Sequence, residues 1–129
     1  MNVRVTAGIR SVAQQNALYA IGRTTPGKIV TDAKGTESNH VLGFAVDLVT
    51  MNAQDQPDWG DQPWVALAPT YGLRSGAEWG DKPHLELAEV PAKPTAEAQQ
   101  TYLQAGVQAV WTDAAASIVS FTDRTIADS

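Results

Sequence analysis

Residues 41–50 constrain the fold most, because their side chains alternate as those of a β-strand do. Phe44, Val46 and Leu48 would point to one face of a sheet. The residues between them, Asp47 included, would point to the opposite face. The sequence therefore predicts a strand that carries one carboxylate among apolar neighbours.

The patterns before this strand predict a second strand and a helix. Residues 3–9 are typical of a short strand. Ser11 and Gln14 form a capping-box pattern that begins a helix ending near Ile21. We expect one face of this helix to be apolar, formed by Ala13, Ala17, Leu18 and Ile21. Residues 24–38 are rich in glycine, threonine, lysine and aspartate, which predicts a long loop, and such loops are often functional.

The patterns after residue 50 complete a small α+β domain. Asp61 is predicted to cap a short helix with Pro63 in its first turn, and residues 73–79 and 84–90 are predicted to pair as strands. Thr95 is predicted to cap a helix whose apolar side chains recur at helical spacing. They are Leu103, Val107, Val110, Ala114 and Ile118. We expect this helical extension, residues 94–129, to pack on the same domain.

Composition excludes several classes of function. The chain of 129 residues suits one domain. A net charge of −5 argues against a nucleic-acid partner, which needs clustered cations. The absence of cysteine excludes disulfides, thiolate zinc sites and cysteine nucleophiles. No apolar run is long enough for membrane insertion, and the first residues do not open a signal peptide, so we expect the protein to be made in the cytoplasm. The sequence does not determine the oligomeric state, for which we favour a monomer.

The two histidines, His40 and His84, lie in sequence contexts that could form a metal site with Asp47. Zinc accepts imidazole nitrogen and carboxylate oxygen, and catalytic zinc sites use three protein ligands and one water. Asp81, three residues before His84, could then take a proton from that water. Spacing alone leaves a commoner alternative open, in which both histidines are ordinary core or surface residues.

Two motifs resemble a known family of zinc peptidases. The sequence SNHVLGFAVD at residues 38–47 matches the SxHxxGxAxD motif of the D-Ala-D-Ala peptidase and L-alanyl-D-glutamate endopeptidase family. The sequence DKPH at residues 81–84 resembles its second motif, in which an acidic residue precedes the last zinc ligand by three. Residues 8–11, 15–19 and 22–31 are most similar to the phage endolysin and bacterial cell-wall branch of the family. The resemblance covers residues 5–90.

This resemblance implies a fold and a set of site residues. The fold would be that of hedgehog and D-Ala-D-Ala peptidases, with a zinc site in a cleft on a short antiparallel sheet. Residues 1–93 would form the peptidase domain, which lacks a helical stretch that usually precedes the first strand in the family. One zinc ion would be held by His40, Asp47 and His84. Asp81 would be the catalytic acid/base and Arg10 would stabilise the oxyanion. Two polar residues would line the substrate cleft, Gln15 and Ser38.

Several of these residues have other interpretations. Arg10 could pair with a surface carboxylate, and Asp81 could cap a turn. Glu86 lies on the same strand face as His84 and could fix the imidazole tautomer. For Glu86 we favour a solvated charge.

The implied substrate is the stem peptide of peptidoglycan. The first hypothesis is hydrolysis of the L-Ala–D-Glu bond by a phage or prophage endolysin or a bacterial wall hydrolase, reaching the wall through a holin or another route. The second hypothesis is cleavage at a D-Ala-D-Ala terminus. The third is a zinc-containing binding or assembly module without catalysis.

Overall fold

Five strands form one antiparallel sheet in the computed structural model, which describes residues 2–60 and 62–117. Four strands lie in the order β1-β2-β5-β4, and the short β3 pairs with β2 beside them. The strands are β1 Val3–Ala7, β2 Ala45–Met51, β3 Pro57–Asp58, β4 Leu73–Ser75 and β5 His84–Leu87. Three α-helices accompany them: α1 Val12–Ala20, α2 Ala96–Ala105 and α3 Val107–Ser117. The predicted small α+β architecture with a short antiparallel sheet is confirmed.

β2 is a central strand of the sheet but begins later than predicted. Residues 40–43 form a turn, in which the Phe44 amide donates to the Asn39 carbonyl at 2.8 Å. Gly43 allows this turn, because its φ of +76° favours glycine and an added Cβ would lie 2.6 Å from the Trp111 indole. The chain therefore changes direction between His40 and the strand that carries Asp47.

α1 confirms the predicted capping box and contradicts the predicted apolar face. The Ser11 side chain accepts from the Gln14 amide, and the Gln14 side chain accepts from the Ser11 amide. Ala13 and Ala17 are exposed, whereas Gln15 is only 1% exposed. The helix turns Gln15 inward because its amide group finds polar partners there, including the Ala33 carbonyl at 2.8 Å.

The predicted strand over residues 73–79 is wrong in its second half. β4 ends at Ser75, and a 3-10 helix follows over Gly76–Trp79. The Ser75 hydroxyl accepts from the Ala77 amide and caps this turn. The predicted helix after residue 60 is a 3-10 helix, Pro63–Tyr71, and Pro69 lies inside it. Its predicted cap, Asp61, lies outside the described residues.

The C-terminal region forms, as far as residue 117, two helices rather than the predicted one. Gly106 separates α2 from α3 with a φ of +86°, which a continuous helix does not allow. Leu103 is 64% exposed, so it does not belong to the buried stripe, and Ile118 lies outside the described residues. Val110 is buried against Val41 and Leu42.

The division of the chain at residues 93 and 94 stays a prediction. Among the described helices, none has the length and apolar character needed to cross a membrane.

Truncation of Leu42 should destabilise the fold, because this side chain is fully buried beside the His40 turn. We expect Leu42→Ala to lower the free energy of unfolding by about 2–5 kcal/mol, measured by denaturant titration. Leu103→Ala is the matched control, and on an exposed helix position it should change stability by less than about 0.5 kcal/mol. Equal effects of the two substitutions would contradict this description of the core.

Candidate metal centre

Three separate elements bring His40, Asp47 and His84 together. His40 lies in the turn that precedes β2, Asp47 lies within β2, and His84 is the first residue of β5. Asp47 and His84 are cross-strand partners in the antiparallel register. Side chains directly opposite each other in such a pair share one face of the sheet, which explains why these two meet.

The distances between the three side chains fit a metal ion. His40 Nε2 lies 3.3 Å from Asp47 Oδ1, and His84 Nδ1 lies 3.6 Å from the same oxygen. One ligand atom from each residue lies within 4.8 Å of the other two. Ligand atoms around a tetrahedral zinc ion are separated by about 3.3 Å, given zinc–nitrogen bonds of about 2.0–2.1 Å. Asp47 Oδ1 is buried and has no hydrogen-bond partner among the described residues, as expected of an atom that serves a metal. The group could hold a metal ion.

Hydrogen bonds on the far side of each imidazole select the tautomer that a metal needs. His40 Nδ1 lies 3.1 Å from the Gly8 carbonyl oxygen, and His84 Nε2 lies 2.5 Å from Glu86 Oε1. Both oxygens only accept, so in each neutral ring the proton lies on the outward nitrogen. His40 Nε2 and His84 Nδ1 then carry the lone pairs that point to Asp47.

The preference for Glu86 as a solvated charge is wrong. Glu86 is only 3% exposed, because the pairing of β5 with both β2 and β4 buries this position. Its carboxylate contacts His84 on one side and forms an ion pair with Arg74 on the other. The alternative interpretation, in which Glu86 orients the imidazole, matches the observed contacts.

The close packing of charges shifts the pKa values of His84, Asp47 and Asp81, among others. Burial acts to lower the pKa of His84, but its contacts with Asp47 and Glu86 raise the pKa to about 9. Burial acts to raise the pKa of Asp47, but the two histidines hold that pKa well below its usual range. Burial and the neighbouring Asp47 charge raise the pKa of Asp81. The site thus combines an ionised carboxylate, a strongly basic imidazole and a carboxyl group that binds protons more readily than usual.

Metal binding should release a proton from His84. With a pKa of about 9, His84 is protonated at pH 7 in the metal-free protein, and a ligand imidazole must be neutral. The apparent metal affinity should therefore increase by about tenfold per pH unit up to about pH 9. Calorimetry in buffers of different ionisation enthalpy should count about one released proton at pH 7. A metal affinity that does not change with pH would contradict the assigned contacts of His84.

Arg10, Ser38 and Asp81 line the same cleft, which has a volume of about 780 Å³, whereas Gln15 is buried next to Arg10 and does not line it. Arg10 Nη2 lies 3.4 Å from Asp47 Oδ2, and Arg10 Nη1 donates to Gln15 Oε1 at 3.1 Å. Asp81 Oδ2 lies 3.9 Å from His84 Nδ1, and the Asp81 side chain is 53% exposed. The Ser38 hydroxyl accepts from the His40 amide at 3.2 Å. The fold brings all these residues together, and their roles in binding and catalysis stay predictions.

The sequence contains no signal for Arg74, and it predicted that Trp79 lies in the core or the cleft wall. The Trp79 ring lies in the cleft wall, with its centroid 5.6 Å from that of His84. Arg74 contacts Glu86 across the β4–β5 pair. A cross-strand contact of this kind depends on strand register, which a single sequence does not reveal. The signal for Trp79 was its position, because only Gly80 separates it from the DKPH motif.

Comparison with known proteins finds similarity to a cell-wall peptidase. No family model matches the chain. The chain is 36% identical over 90 residues to the peptidoglycan L-alanyl-D-glutamate endopeptidase CwlK of Bacillus subtilis (strain 168). This similarity supports the resemblance to the L-alanyl-D-glutamate peptidase family. The match covers 60% of this chain and 54% of CwlK, so it spans about half the length of that relative. The sequence resemblance is thereby confirmed.

Proposed function

We propose that this chain is a zinc-dependent peptidase that hydrolyses the L-Ala–D-Glu bond of peptidoglycan stem peptides. The observation that carries the proposal is the cluster of His40, Asp47 and His84 in an open cleft. The relationship to CwlK, whose name states this bond, supports the choice of substrate. The proposed place of action is the cell wall, which the protein reaches through a holin or another route, as an endolysin or a bacterial wall hydrolase.

The donor set supports zinc as the metal. Two neutral imidazoles and one carboxylate suit zinc, and three protein ligands leave one position for water or substrate. When bound, zinc activates water for attack on an amide and polarises the scissile carbonyl. The three side chains would hold the ion in the cleft, and the hydrogen bonds to Gly8 and Glu86 keep both imidazoles in the required orientation. The proposed overall fold is that of hedgehog and D-Ala-D-Ala peptidases.

Asp81 is the proposed proton acceptor and donor. Its carboxylate lies beside His84 at the cleft and is half exposed, so it can reach both water and a bound peptide. Its raised pKa, caused by burial and by Asp47, suits a group that takes a proton from water and returns it to the leaving amine. Asp81 therefore moves the proton in both halves of the reaction.

Arg10 is the proposed stabiliser of the negative charge that develops on the scissile carbonyl oxygen. Asp47 and Gln15 hold its guanidinium group at the edge of the metal centre. Gln15 is itself fixed by its hydrogen bond to the Ala33 carbonyl. Ser38 lines the cleft and is a proposed substrate-binding residue, and its hydroxyl accepts from the His40 amide. The buried Gln15, predicted from the sequence to bind substrate, is proposed to act on the substrate through its contact with Arg10.

Mass spectrometry of digested muropeptides tests the proposed bond. The zinc-loaded protein is incubated with purified muropeptides that contain complete stem peptides. Cleavage of the L-Ala–D-Glu bond produces a fragment with a new N-terminal D-Glu, which is the expected result. Release of D-Ala would instead assign the protein as a D-Ala-D-Ala carboxypeptidase. Intact muropeptides with a zinc-loaded protein would assign it as a binding or assembly module.

A further inference from the structure

A buried ion pair lies directly behind the metal centre. Arg74 on β4 and Glu86 on β5 are cross-strand partners. Arg74 Nε donates to Glu86 Oε2 at 3.1 Å, and Arg74 Nη2 donates to the same oxygen. The other carboxylate oxygen of Glu86 accepts from His84 Nε2. A continuous chain of contacts therefore runs from Arg74 through Glu86 to His84.

Backbone carbonyls fix the far side of Arg74. Its Nη1 donates to the Ala88 carbonyl at 3.2 Å, and its Nη2 donates to the Val90 carbonyl at 2.9 Å. The planar guanidinium group thus bridges the Glu86 carboxylate and the chain segment that follows β5. The planar guanidinium group directs two donors to one carboxylate oxygen and is itself anchored on two carbonyls, so it restrains the orientation of the Glu86 carboxylate. A lysine ammonium has no such planar arrangement of donors.

We propose that Arg74 and Glu86 are positioning residues that set the metal affinity of His84. Arg74 compensates the charge of the buried Glu86 and fixes its carboxylate. Glu86 then holds the proton of His84 on Nε2 and turns Nδ1 toward Asp47. An ion pair that only stabilised the sheet would not need the imidazole on its second oxygen. The inference rests on the metal centre of the proposed function and is independent of which bond is cut.

The test measures zinc affinity separately from folding. Zinc dissociation constants of the full chain are determined by competition with a chromophoric chelator, and circular dichroism of the metal-free protein reports folding. Glu86→Gln keeps the size of the side chain and removes its charge. We expect this variant to bind zinc about 10- to 100-fold more weakly while it remains folded. Measurement at several pH values separates the affinity of the neutral imidazole from competition with protons.

A matched control uses the exposed ion pair between Arg4 and Asp55, which lies outside the cleft lining. Arg4→Met should leave zinc affinity unchanged, whereas Arg74→Met should weaken it. If Glu86→Gln does not fold, the zinc affinity of Arg74→Lys is the test instead, because lysine keeps the positive charge and loses the planar guanidinium donors. Unchanged zinc affinity in folded Glu86→Gln would overturn the proposal. If Glu86→Gln does not fold, unchanged zinc affinity in Arg74→Lys would overturn it.

A double variant tests whether Arg74 acts through Glu86. If it does, Glu86→Gln with Arg74→Met should lose no more zinc affinity than Glu86→Gln alone. If the two losses in binding free energy add up in the double variant, Arg74 does not act through Glu86 and the proposal is contradicted. The proposed function fails separately, since a wild-type protein that binds zinc and leaves wall peptide intact would contradict only the peptidase activity.

Discussion

Replacement of Asp81 by asparagine should lower the rate of wall-peptide hydrolysis by about 100- to 10,000-fold, the usual contribution of a general acid or base. Asparagine has nearly the same size but cannot accept and return a proton. Zinc binding should persist, because Asp81 is not one of the three grouped ligands. Steady-state hydrolysis of a purified stem peptide, with zinc content measured on the same sample, checks both parts.

The control for Asp81→Asn is Asp55→Asn, which makes the same chemical change at an exposed position outside the cleft lining. Asp55 has a φ of +58°, a conformation that asparagine tolerates well, so the substitution should be neutral for folding. Equal rates for wild type and Asp81→Asn would show that another group moves the proton.

Loss of His40 should have the largest effect of all, because it removes a metal ligand. We expect His40→Ala to bind zinc more weakly by more than about 100-fold, since even residues that only orient a ligand contribute about 10- to 100-fold. Hydrolysis should fall to background at zinc concentrations that saturate the wild type. Chelator competition and a peptide assay measure the two effects.

His40 is buried, so the folding of His40→Ala must be measured as well. Circular dichroism of the metal-free variant serves this purpose, and His40→Gln provides a second variant that keeps a polar side chain at the site. Undiminished hydrolysis in a folded variant of either kind would contradict the assignment of His40 as a ligand.

The sequence predicted the elements whose signals are local. The Ser11–Gln14 capping box depends on residues three apart, and the structure contains it. The strand with Asp47 follows from alternation, and the two motifs placed His40, Asp47 and His84 in one group before their distances were known. The capping box and the strand depend on neighbouring residues, which is why one sequence suffices for them. The grouping of His84 with His40 and Asp47 instead came from the resemblance of the two motifs to a known family.

Features that depend on tertiary contacts were not predictable in the same way. Glu86 has the sequence context of a surface charge, and only the pairing of β5 with β2 and β4 buries it beside Arg74. Gln15 faces inward because its partners lie in a distant loop. Gly106 ends α2 although the apolar spacing continues past it, because its backbone adopts a conformation that a helix excludes.

We propose that the centre formed by His40, Asp47 and His84 carries out hydrolysis with one zinc ion. A titration of the metal-free protein with zinc, in which cleavage of a purified stem peptide is followed at each addition, tests this directly. We expect activity to rise in proportion to zinc and to become constant at one equivalent. Hydrolysis that proceeds unchanged without metal, or that remains absent at full zinc occupancy, would contradict it.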